Sequence, residues 1–107
     1  MMTISDRYRE ITREVQTFVS GLGEGEESEA QRRFREAGKA VAVLNELLES
    51  VGDIPRIKLE SRLTPVLLKA HQKLDQARLL FEEAGEEDRA AKSWELEQRI
   101  YRLLNDL

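Results

Sequence analysis

One histidine, no cysteine and twenty-one carboxylates set the chemistry open to this 107-residue chain. Without cysteine there is no thiolate nucleophile, no disulfide and no thiolate metal site. His71 is the one side chain suited by type to proton transfer at neutral pH. It stands in Lys69-Ala70-His71-Gln72-Lys73, beside the apolar positions of its segment rather than on them, and reads as a histidine at the edge of a core. Glu95 and Glu97 flank Trp94 and come nearest to a carboxylate pair. A hydrolytic pair needs two acids in contrasting environments across a cleft, and one small bundle offers no obvious cleft. Di-metal bundles use Glu-x-x-His on facing helices, and the chain has no such pair. Gly21, Gly23 and Gly25 follow a helical pattern and lack a downstream Lys-Ser/Thr, so they make no phosphate loop. No catalytic, cofactor-binding or metal residue is assigned. The expectation is a non-enzyme with no small-molecule substrate.

Four helical segments must then account for the chain. Ile4, Tyr8, Ile11, Val15, Phe18 and Leu22 alternate steps of four and three, predicting a helix over about 4–20, with Ser5 or Thr3 as its cap. Three glycines among residues 21–25 end it. Ala30, Phe34, Ala37, Val41, Leu44, Leu48 and Val51 predict a second helix over about 27–50, stopped by Gly52 and turned by Asp53-Ile54-Pro55. Leu63, Leu67, Ala70, Leu74, Ala77, Phe81 and Ala84 mark a third over 56–84, closed by Gly85. Pro65 falls inside it, so this helix is expected to be kinked or broken there, with 56–63 as a short lead-in. A fourth, over about 86–106, carries Ala90, Trp94, Tyr101 and Leu104 on one face. No stretch alternates as a strand would. Short connections make neighbouring helices antiparallel, so the expected fold is all-α, one domain over 1–107, an antiparallel up-down four-helix bundle. The alternative is a three-helix bundle with a loosely attached N-terminal helix.

More than half of the residues are Ala, Glu, Lys, Leu or Arg, and the net charge is −4. That topology would gather Glu24, Glu26, Glu27 and Glu29 with Glu82, Glu83, Glu86, Glu87 and Asp88 at one tip. Such a tip suits helix N-termini, and as a site it would suit a basic partner. Arg32, Arg33, Arg35 and Lys39 form the densest basic run. With Glu29 and Glu36 at pairing distance from Arg33 and Arg32, it reads as a salt-bridged face, so nucleic acid is not an expected partner. The longest apolar run, 40–44, is too short to span a membrane. Residues 1–9 lack a secretion signal, so a cytoplasmic or nuclear location is expected.

Apolar residues exceed one stripe per helix. Ala40, Val43 and Leu47 form a second line on the second helix; Leu96, Ile100, Leu103 and Leu107 form one on the fourth. Faces wider than a core can use point to a partner or a second copy. Val43, Leu47, Leu96, Ile100, Leu103 and Leu107 are therefore the candidate protein-binding residues. A helix presenting a wide face to two neighbours would bury the same lines.

Two local resemblances accompany this pattern. Leu80-Phe81-Glu82-Glu83-Ala84-Gly85 through Ala90 and Trp94 resembles a tetratricopeptide-type hairpin, in its turn glycine, small residue and aromatic. Glu60-Ser61-Arg62-Leu63-Thr64-Pro65 resembles the proline-bent second helix of tubulin-binding cofactor A, with the proline offset by one position. The second resemblance implies a small helical chaperone. The expected function is thus a protein-protein interaction module, whether adaptor, chaperone or assembly subunit. Recognition of a basic partner by the acidic tip is the alternative.

Overall fold

The computed structural model of the chain describes residues 2–22 and 28–107, the side chains of 28–30 excepted. It contains α1 (Ile4–Leu22), α2 (Ser28–Leu48), a 3-10 turn (Val51–Asp53), α3 (Arg56–Glu83) and α4 (Glu87–Asn105), and no strand among the described residues. Each helix packs antiparallel on the next and α4 returns to α1, giving an up-down four-helix bundle. Cross-links fix the ends. Tyr8 donates to the Leu44 carbonyl at 2.5 Å and Ser5 to the Val51 carbonyl at 3.2 Å at one end; Phe18 meets Phe81 edge-to-face at the other. Tyr8 and Val15 are fully buried, so α1 is an integral helix and the three-helix alternative falls.

Local chemistry explains the helix limits. Thr3 caps α1: its hydroxyl accepts from the Asp6 amide at 3.0 Å, while the Asp6 carboxylate accepts from the Thr3 amide at 3.2 Å. At the α3–α4 turn the Glu86 amide donates to the Phe81 carbonyl and the Gly85 amide to that of Glu82. This two-bond closure needs a left-handed residue, and Gly85 supplies it with φ of +76°.

Of the kink or break expected at Pro65, the break is absent. α3 is helical from Arg56 to Glu83. Leu63, Leu67, Ala70, Leu74 and Ala77 are all fully buried, so a break would throw Leu63 out of line with the core. The proline leaves the Ser61 carbonyl without its helical donor, and Ser61, Arg62 and Pro65 lie on the exposed side, where water can serve it.

α4 is rotated from the expected face. Ala90, Ser93, Leu96, Glu97, Ile100 and Leu103 are buried, whereas Trp94 is 50% and Tyr101 54% exposed. Three aliphatic side chains gain more from burial than two rings that can keep one edge in water. Val43 and Leu47 are buried as well, because α2 lies between α1 and α3 and shows apolar residues to both. Five of the six candidate binding residues, Val43, Leu47, Leu96, Ile100 and Leu103, are therefore core. They are the wide faces by which α2 and α4 each meet two neighbours.

Candidate functional site

Only Leu107 of the predicted apolar set reaches an open surface. It helps line a cavity of about 1090 Å³ at the end of the bundle where α1 and α3 begin and α4 stops. The cause is a mismatch of lengths. α3 has 28 residues and α4 has 19, or about 42 Å against about 28 Å at 1.5 Å per residue. Joined by the tight Gly85 turn, α3 overruns α4 by about 13 Å, roughly two and a half turns. The overrun carries Ile57, 90% exposed. Ile57 itself lines the groove, with Met2, Ile4, Ile54, Leu59 and Leu107, and Arg56, Glu60 and Asp106 stand on its edges. Arg7 of α1 reaches across to Asp106 at 2.7 Å and ties the end of α4 down.

A second site lies inside the α3–α4 seam. Glu97 is fully buried and no hydrogen-bond donor reaches either carboxylate oxygen. His71 Nε2 stands 3.8 Å from Oε1 and Arg78 Nε 3.7 Å from Oε2. Burial pushes the Glu97 carboxyl up to about 8; a hydrogen bond with Asp75 and its charge push the same way, against Arg78. Burial also works against ionised Asp75, but hydrogen bonds from Arg78 and Glu97 hold it below its ordinary value. Both shifts favour a neutral Glu97 beside an ionised Asp75. As a carboxylate Glu97 is orphaned, with no hydrogen bond to either oxygen. Arg78 roofs the cluster, bonded to Asp75 and Glu82 and lying 5.5 Å over the Trp94 ring. Among the described residues no three His, Asp or Glu side chains stand together as metal ligands.

The acidic tip is only partly within view. Glu24, Glu26 and Glu27, and the side chain of Glu29, lie outside the described residues. Glu82, Glu83, Glu86, Glu87 and Asp88 do sit at the α3–α4 turn, but Arg78 holds Glu82, and Arg33 and Arg89 hold Glu86 at 3.0 Å each. Arg33 thus bridges α2 to the turn, and Glu36 pairs with Lys39 rather than Arg32.

Sequence reasoning weighed Glu97 only as a partner of Glu95 beside Trp94, not as a buried group, and passed over Ile57. The signal for Glu97 was available: the assumed α4 face steps from Trp94 to Tyr101 with nothing between, while Ser93, Glu97, Ile100 and Leu104 run in fours and threes. Ile57 gave no signal, because its exposure follows from where α4 ends. No family model, curated protein or solved structure matches the chain.

Proposed function

We propose that this chain is a non-enzymatic assembly module that pairs with a second copy of itself through the end groove. The observation that carries the reading is Ile57, an isoleucine 90% exposed on a helix that overruns its neighbour. Each copy carries both halves of a joint: the projecting first turns of α3, and a groove between the starts of α1 and α3 beyond the end of α4. Exchange of the projecting turns about a two-fold axis sets Ile57 of each copy against the other's Ile4, Ile54 and Leu107. Arg56 and Glu60, both exposed on the projecting turns, edge the groove with opposite charges, so a two-fold exchange can set each against the other's counterpart.

Light scattering after size exclusion tests it, over roughly a hundredfold range of protein concentration. The wild type is expected to move towards twice its 12.4 kDa mass as concentration rises. Ile57→Glu should remain a monomer with unchanged far-ultraviolet circular dichroism, since the side chain touches little of its own fold. A wild type that stays monomeric throughout, or an Ile57→Glu protein that still dimerises, overturns the proposal.

A further inference from the structure

The buried acid cluster has no part in that joint, and it makes the α3–α4 seam responsive to protons. We infer that Glu97 and Asp75 form a proton-held latch: with its proton Glu97 binds the Asp75 carboxylate and closes α4 onto α3, and without it the seam opens under the Arg78–Trp94 roof.

Every group that acts on Glu97 stands on α3. Asp75 accepts from it, Arg78 and His71 lie just under 4 Å away, and Glu82 adds a second negative charge. α1, the other helix against α4, sends Arg7 to Asp106 and Glu14 to Arg99; α2 reaches only the turn, through Arg33 and Glu86. Arg78 is already bonded to Asp75 and Glu82, so it has little left to offer a new charge. Loss of the proton therefore puts a buried carboxylate beside two others, with neither oxygen hydrogen-bonded. Water must enter, and the seam is where it can. Another polar bond across the buried part of that seam, Ser93 to the Leu74 carbonyl at 2.8 Å, lies one turn away.

The direction follows from linkage. Any opened state solvates Glu97 and returns its carboxyl to the ordinary value of 4.5, whereas the closed state holds it near 8. The closed state then binds the extra proton, so closure is strongest below pH 4.5, weakens as pH rises to about 8, and is level above. Within that window the opening constant rises about tenfold per pH unit.

Native-state hydrogen exchange of the full chain, corrected for the intrinsic pH dependence of amide exchange, reads this directly. From about pH 5.5 to 7.5 the opening constant of α4 amides near Ser93 and Glu97 should rise up to about a hundredfold. Glu97→Gln should remove the rise. His71→Gln should keep it, which assigns the proton to the carboxyl pair rather than to the imidazole. A flat wild-type profile, a slope that survives Glu97→Gln, or one lost in His71→Gln overturns the latch. So does an equal response in all four helices, which would be global unfolding instead of a seam. Should Glu97→Gln not fold, the wild type and His71→Gln still decide the matter.

Discussion

Replacing Leu96 or Leu103 by alanine tests which face of α4 is inward. Both leucines are fully buried, while Tyr101, two residues from Leu103, is more than half exposed. Removing a leucine side chain from a packed core costs about 2.7–5 kcal/mol, the lost transfer energy plus the cavity left behind. The two sites lie seven residues, about 10 Å, apart on one helix, so their effects should nearly add, to about 5–10 kcal/mol. A chain of 107 residues has about 5–15 kcal/mol in all. The double alanine protein should then be barely folded, and Leu96→Glu with Leu103→Glu should be unfolded. Tyr101→Ala, losing an edge-on contact, should cost about 1 kcal/mol. Urea titrations followed by circular dichroism give the three values, with the slope as a check that the transition remains two-state. Single leucine costs below about 1 kcal/mol, together with a Tyr101 cost above about 3 kcal/mol, would mean that α4 is turned by a quarter revolution. The assignment of Val43, Leu47, Leu96, Ile100 and Leu103 to the core would then fail for α4, and surface association through Leu96 and Leu103 would be open again.

Two further substitutions probe single bonds of the fold. Pro65→Ala should stabilise by about 2 kcal/mol, because restoring the amide to the Ser61 carbonyl and removing the ring gains about 3 kcal/mol, offset by about 1 kcal/mol from a freer unfolded chain. A loss of stability on urea titration would show that the exposed ring supports α3 in a way the geometry does not contain. Tyr8→Phe should cost about 0.5–1.5 kcal/mol, the net value of the bond to the Leu44 carbonyl, and a neutral result would mean that this 2.5 Å contact contributes nothing in solution.

The architecture was legible because the core is mostly aliphatic and regularly spaced. In α1 a single apolar stripe admits one orientation, and Tyr8, Ile11 and Val15 face Leu44 and its neighbours as the spacing requires. α2 and α4 carry two stripes each, and spacing alone does not choose between them. The choice depends on how each helix is turned against its two neighbours, which is a property of the closed ring. Trp94 and Tyr101 drew the reading of α4 the wrong way, since aromatic bulk counts towards a stripe in sequence while an amphipathic ring is content at its edge. Of the kink or break that Pro65 suggests, the break is absent for a related reason. The local rule against proline in a helix is worth about 3 kcal/mol, and five fully buried positions on one α3 stripe outweigh it. The end groove was illegible altogether, for it arises from the difference between two helix lengths.

Glu97 turns the same reasoning towards function. Position 97 lies on the stripe formed by Ser93, Ile100 and Leu104, where a leucine or methionine would fill the seam without a titrating group. A buried carboxyl there lowers stability at neutral pH relative to an apolar side chain of equal volume: its raised pKa means that the unfolded chain, free to ionise, is favoured by the medium. Packing alone therefore does not select glutamate at this place. Asp75 and Arg78 increase the contrast, because Arg78 steadies Asp75 as a carboxylate, and a fixed carboxylate holds the proton on its neighbour. Three residues on two helices thus convert a cost in stability into a dependence on pH, in the one seam that a single turn at Gly85 joins. The groove at the other end of the molecule is built from α1, α3 and the end of α4, so the helix that the proton holds is also the helix whose length defines that groove.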